Sequence, residues 1–164
     1  MKPKSIRTTP TVHLTPEPLL PIKSILVPID FSPPSKQALD YAVSFAKQFQ
    51  AKLTLLHVFE PIATPDFAAS FPLVREYDEL MASAKRELDR LAKTAGIPAE
   101  TVAATEVRFG RSFHEIADAA RALKIDLIII STHGYTGLKH ALLGSTTERV
   151  VRHAPCPVLV VRPR

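Results

Sequence analysis

Five short apolar runs, each too brief for a helix and separated by longer segments of helical period, set the limits on this fold. Ser24–Ile29 (SILVPI), Leu53–Val58 (LTLLHV), Val102–Phe109, Leu127–Ile130 (LIII) and Val158–Val161 (VLVV) are rich in β-branched residues and read as strands. Three of the five are nearly continuous in their apolarity. A strand with one wet face alternates, whereas an unbroken apolar run suits a strand covered on both faces, the usual state of a parallel sheet clad in helices.

The segments between the strands carry the helical stripes. Ala38, Tyr41, Ala42, Phe45 and Phe49 form one, and Val74, Tyr77, Leu80, Met81, Ala84, Leu88 and Leu91 form a second, longer one; both read as core-facing. Helix starts are signalled by Ser32 before Pro33, by Ser112 with Glu115, and by Ser145 with Glu148, the last two in capping-box spacing. Gly96 followed by Pro98 ends the second helix. The connection EPIATPDFAASFP, about 12 residues, is long for an α/β protein and marks a functional or mobile segment. The order β-α-β-loop-α-β-α-β-α-β predicts an open, doubly wound, five-stranded parallel sheet.

Residues 1–22 hold five prolines and no hydrophobic periodicity, so they read as a flexible arm ahead of one domain over 23–164. No apolar run approaches the ~20 residues of a membrane span, and the first residues lack the apolar centre of a secretory signal. Cys156 is the only cysteine, which excludes an intramolecular disulfide and fits a reduced, cytoplasmic setting. The net charge of +5 is concentrated at the ends: residues 131–164 hold five basic side chains against Glu148 alone. No aromatic interleaving, zinc-finger spacing or run of five like charges accompanies it, so the charge gives no nucleic-acid signature, and attraction for small anions explains it equally well.

In open α/β sheets, ligands sit outside the carboxyl ends of the strands, where the strand order reverses. Asp30 follows the first strand, His57-Val58 closes the second, and Ser131-Thr132-His133-Gly134 follows the fourth, opening the loop STHGYTGLKHALLGST. Gly134 and Gly137 permit positive φ and close backbone approach, while Gly144-Ser145-Thr146 set amides and hydroxyls at a helix N-terminus. Unpaired first-turn amides and the helix dipole there suit a phosphate. No GKS or GKT follows, which excludes a Walker loop.

From about Lys23 to Arg162 the chain resembles the universal stress proteins. Their ATP-binding members carry G-x2-G-x9-G-[S/T], and the aligned positions here are Ser131, Gly134, Gly144 and Ser145, three of the four matching. VPIDFS at Val27–Ser32, LLHV at Leu55–Val58 and HAPCPVLVVR at His153–Arg162 are also similar to that family. The resemblance implies a Rossmann-like fold of the adenine nucleotide alpha hydrolase-like kind, which binds ATP with an accompanying divalent cation such as Mg2+ or Mn2+. It implies a binding module of the stress response with at most slow hydrolysis, and a homodimer formed through the C-terminal strand. Asp30 would accept from the ribose hydroxyls, while Pro28, Ile29, Val58 and Ile130 would flank adenine. Ser131, Thr132, His133, Gly134, Tyr135, Thr136 and Gly137 would wrap ribose and phosphates, and Gly144, Ser145, Thr146 and Thr147 would donate to the β- and γ-phosphates. Ser131 departs from the family pattern by adding a Cβ and a hydroxyl where glycine lets the backbone pass close to the nucleotide.

Each of these residues also has a purely structural reading. Asp30 before Phe31-Ser32 suits a turn, Ser145 with Glu148 suits a capping box, and His57 within an apolar strand suits a hydrogen-bonded core histidine. His133 stands beside the phosphates on the loop reading; His114, His140 and His153 share no metal-ligand spacing with Cys156. Two functions follow: a nucleotide-binding regulatory module, or a dimeric interaction protein with a vestigial site. An efficient hydrolase is disfavoured, since the loop brings no general base, carboxylate pair or activated nucleophile.

Overall fold

Four of the five apolar runs lie in strands whose successive side chains supply two different cores, and the fifth, Val102–Phe109, contributes Val102 and Val107 to one of them. The computed structural model describes residues 21–60, 74–94, 96–132 and 143–162. Strands β1 (Ser24–Pro28), β2 (Lys52–Phe59), β3 (Val102–Phe109), β4 (Leu127–Ser131) and β5 (Val158–Val161) form one sheet in the order β3-β2-β1-β4-β5, all parallel. Helices α1 (Pro33–Phe49), α2 (Val74–Thr94), α3 (Ser112–Ala122) and α4 (Ser145–His153) complete it, with a 3-10 turn at Ala99–Thr101 before β3. Ile25, Val27, Leu53, Leu55, Leu127 and Ile129 pack with Ala38, Leu39, Ala42 and Ala46 of α1 and Leu88 of α2. Their neighbours Leu26, Leu56, Ile128 and Ile130 point the other way, against Ile116, Ala119 and Ala120 of α3 and Val150 of α4. Alternation is therefore present, but both partners of each pair are buried, which is why no polar residue interrupts residues 25–27 or 127–130.

The arm-and-domain division meets the structure only in part, because residues 1–20 lie outside the described residues. Strand β1 ends one residue earlier than the sequence pattern suggests, β2 gains a residue at each end, and β4 extends to Ser131. Ser32 caps α1 as expected: it is the N-cap, Pro33 follows, and its Oγ accepts the Ser35 amide at 3.3 Å. Gly96 takes the left-handed conformation (φ 62°) beyond the end of α2.

Both stripes need correction. On α1 the buried face is Ser35, Ala38, Leu39, Ala42 and Ala46, and Tyr41 and Phe49 are 36% and 41% exposed. Small residues let the helix lie close to the sheet, and the bulky aromatics are displaced to the flank. On α2, Leu88 is fully buried while Leu80 is 46% exposed. The two capping boxes do not form either. Arg111 is the N-cap of α3 and Gly144 that of α4, neither with a side-chain capping bond, so Ser112 and Ser145 are each the first helical residue.

The amino-terminal end of the sheet is fastened by Asp126, whose Oδ2 accepts the amides of Lys23 (2.8 Å) and Ser24 (2.9 Å) and the Ser24 hydroxyl (2.9 Å). Burial raises the Asp126 pKa, and the bonds from Lys23 and Ser24 with the Lys23 charge outweigh it, leaving the carboxyl below its ordinary value. Among the described residues no helix is long and apolar enough to cross a membrane.

Candidate functional site

Strand order fixes where a ligand crevice can open. The chain runs from β1 outward through β2 to β3 with α1 and α2 on one face, then returns to β4 and β5 with α3 and α4 on the other. β1 and β4 are thus neighbours whose connections leave in opposite directions, and their carboxyl ends are the reversal point.

On the β1 side, Asp30 Oδ1 accepts the Ser32 amide at 3.0 Å and the Ser32 hydroxyl at 2.5 Å, an Asx turn that sets up the start of α1. Phe31 between them adopts φ 63°, a left-handed conformation unfavourable for a bulky residue and held by the flanking turn. Its ring lies 4.7 Å from that of His57. The His57 Nδ1 is 2.7 Å from the Ile29 carbonyl, which can only accept, so Nδ1 carries the proton. His57 is therefore a half-buried, hydrogen-bonded residue tying β2 to the end of β1. The Ile29 amide donates to Leu56 O at 2.8 Å, so both backbone polar groups of Ile29 are engaged by β2.

The four residues assigned to adenine divide between the faces. Ile29, 2% exposed, belongs to the core under α1 and α2, whereas Ile130 and Val58 pack in the core under α3 and α4. Pro28 is the last residue of β1 and is buried.

On the β4 side, Ser131 and Thr132 are buried at 6% and 5%. Thr132 donates its amide to Val161 O at 2.9 Å, its carbonyl accepts the Gly144 amide at 2.8 Å, and Thr147 Oγ1 donates to Ser131 O at 2.8 Å. The glycine loop thus leaves and rejoins the fold at one point, because Thr132 and Gly144 are bonded directly. His133, Gly134, Tyr135, Thr136 and Gly137 lie outside the described residues. Beyond Gly144 the amides of Ser145, Thr146 and Thr147 have no intrahelical acceptor by position, the first backbone bond being Glu148 to Gly144 O at 2.9 Å. Ser145 is exposed and Thr146 half-exposed, while Thr147 is buried and its hydroxyl proton is committed to Ser131.

One residue of this edge has no local sequence signal. Glu60, just past β2, accepts through Oε2 the amide (3.1 Å) and hydroxyl (2.7 Å) of Ser112 at the start of α3, a contact between residues 52 apart. The Ser112 hydroxyl bond, then its amide and the charges of Arg111 and Arg149, hold the Glu60 pKa below its ordinary value against the opposing effect of burial. Among the described residues, no three His, Cys, Asp or Glu side chains gather as a metal site, so they supply no protein cage for a cation.

A five-stranded parallel sheet with helices on both faces and a crevice at its reversal point defines an open, doubly wound α/β protein. Comparison with known proteins narrows this: residues 21–162 match the model of the universal stress protein family. A universal stress protein of Bacillus subtilis (strain 168) is 36% identical over 148 residues, covering 84% of this chain and 97% of its own. The chain belongs to the universal stress protein family. The universal stress protein UspA from Lactobacillus plantarum superposes with a TM-score of 0.66 at 34% identity, covering 86% of this chain and 98% of its own. A universal stress protein solved in complex with cAMP superposes with a TM-score of 0.61 at 26% identity, covering 85% of this chain and 96% of its own.

Proposed function

We propose that the chain binds an adenine nucleotide, ATP, at the crevice between the carboxyl ends of β1 and β4, and acts as a binding and regulatory module of the stress response with at most slow hydrolysis. The observation that carries this is the closed base of the glycine loop. The Gly144 amide on Thr132 O and the Thr147 hydroxyl on Ser131 O present the first turn of α4 directly beside the end of β4. Phosphates there meet the amides of Ser145 and Thr146 and the positive end of the helix dipole. Residues 133–137 wrap the ribose and phosphates, Val58 and Ile130 flank the base from the α3 face, and Pro28 and Ile29 contribute the β1 backbone. The second oxygen of Asp30 reads the ribose while Oδ1 keeps its turn. A divalent cation would accompany the triphosphate, neutralising charge on its phosphates, with Ser145 and Thr146 the nearby hydroxyls. The relative solved with cAMP supports a cyclic or linear adenine nucleotide as the ligand class.

The same reading places the protein in the cytoplasm as a homodimer. Among the described residues β5 is an edge strand with β4 as its one sheet neighbour, and Val158, Leu159 and Val160 are half-buried. Antiparallel pairing with a second copy satisfies that edge and forms an isologous two-fold interface. Residues 23–164 form the domain and 1–22 an arm.

Titration with a fluorescent ATP analogue tests the first reading. Saturable binding competed by ATP is expected; no binding leaves a dimeric interaction protein with a vestigial site. Light scattering tests the second, with twice 18.0 kDa expected and 18.0 kDa alone overturning it.

A further inference from the structure

Helix α3 starts without help from its own sequence. Its N-cap, Arg111, makes no side-chain bond to the first turn, and Ser112, which the local pattern nominates for that role, turns its hydroxyl outward as a donor. Glu115, the other half of the expected box, instead lies against Gly110 and 4.0 Å from Arg108. The acceptor that the first turn lacks arrives from β2, as the Glu60 carboxylate.

We propose that Glu60 is a positioning residue: seated on the amide and hydroxyl of Ser112, it latches the exit of β2 to the first turn of α3 and thereby holds Val58 in the wall of the nucleotide crevice. The second half rests on the nucleotide reading above. The last backbone bond at this end of β2 is Gly110 N to Phe59 O at 3.0 Å, so Glu60 is the next residue along and extends the attachment from β3 to α3. Val58 and Phe113 both pack against the cluster that holds Ile116, so the strand exit and the first turn of α3 border the same apolar core. Arg149 of α4 lies over the Phe113 ring at 5.1 Å, and its charge and that of Arg111 act on the Glu60 carboxylate together with the helix dipole.

Glu60 is exposed, and this suits a latch. Exposed charged contacts add little to global stability, so this one opens and closes without unfolding the domain. Its effect is to select a position for the end of β2.

The test compares Glu60→Ala, Glu60→Gln and Ser112→Ala with the unaltered chain in three measurements: solvent exchange of the Ser112 amide by NMR, affinity for a fluorescent ATP analogue, and the urea midpoint. In Glu60→Ala the Ser112 amide is expected to exchange roughly tenfold faster with the midpoint nearly unchanged. Affinity is expected to fall about threefold, the scale of coupling through packed neighbours. Glu60→Gln, which keeps an acceptor oxygen, should recover part of both effects, and Ser112→Ala should weaken affinity without abolishing amide protection. Unchanged exchange in Glu60→Ala overturns the latch. Faster exchange with unchanged affinity overturns its role in positioning. If the unaltered chain does not bind the analogue, the nucleotide reading and the positioning role fall together, and the exchange result still decides whether the latch exists.

Discussion

Helices α3 and α4 lie side by side on one face of the sheet, both begin at its carboxyl edge, and neither has a side-chain N-cap of its own. They differ in what meets their first turns. At α3 a carboxylate of the chain, Glu60, takes the Ser112 amide and hydroxyl. At α4 the bonds run the other way: Thr147 donates back to Ser131 O and Gly144 to Thr132 O, fixing the turn in place while the Ser145 and Thr146 amides point along the helix axis. One start is neutralised from within, and the other is braced from behind. The acidic side chain in the first turn of α4, Glu148, is paired with Arg152 at 2.8 Å, and a helix start whose leading amides no carboxylate of the described residues takes is the arrangement an external phosphate requires.

The sharpest way to break this contrast is to give α4 an internal anion as well. Gly144 has φ −58° and ψ 146°, values any residue adopts, so Gly144→Asp should fold normally and gain a few tenths of a kcal/mol from capping. Its carboxylate would take the amides and repel the triphosphate, and ATP affinity should fall on the order of 100-fold by calorimetry. An unchanged affinity would place the phosphates elsewhere.

Thr147→Val removes the brace without changing side-chain shape and takes away the hydroxyl that donates to the buried Ser131 carbonyl. A loss of about 2 kcal/mol in urea unfolding is expected, with Thr147→Ser recovering most of it. Equal stability of all three proteins would mean that the bond contributes nothing net.

Asp30→Asn separates turn from ligand on the opposite wall. The amide oxygen still accepts from Ser32, so stability should change by less than about 0.5 kcal/mol, while ATP affinity should drop roughly fivefold if the charged carboxylate reads the ribose. Wild-type affinity would assign Asp30 to the turn alone.

The smallest expected effect lies at the α3 start. Glu60 has a folded-state pKa below the ordinary 4.5, so it contributes stability above that value and loses the contribution as pH falls through the lower, folded pKa. Its carboxyl carbon should titrate below 4.5 in NMR, and Ser112→Ala should move the midpoint back up. A midpoint at the ordinary value would show that the contact does not persist in solution.

The sheet was legible because unbroken apolar runs of strand length stand out: LIII is buried on both faces, and VLVV, though mostly half-buried, sends its side chains into both cores. Element order directed attention to the ends of the first, second and fourth strands, and the strand order β3-β2-β1-β4-β5 then put the reversal between β1 and β4. Helix faces were less legible, since large aromatics outweigh small residues in any apolar count, yet on α1 Ser35, Ala38 and Ala42 face the sheet and Tyr41 and Phe49 do not. The box spacing at Ser112 and Ser145 was present and unused, because a capping box is local and the bonds that replaced it are not. His57 matched its structural reading, and Asp30 forms the turn that competed with its ligand role. Glu60 left no trace in the pattern because its partner lies 52 residues away.

The sequence distances within the sheet also order its assembly. β1 joins β2 through a single helix, but its pairing with its other neighbour, β4, sets Ile25 beside Leu127 and Leu26 beside Ile128, residues 102 apart in sequence. Loop closure over that span comes late, so a chain emerging from the ribosome can pair β1, β2 and β3 and clothe one side of them while the other side still lacks its helices. Until β4 docks, Leu26 and Leu56 have neither Ile128 nor Ile130 to cover them. A half-sheet of β1, β2 and β3 alone would present one greasy side to solvent until β4, α3 and α4 dock on it.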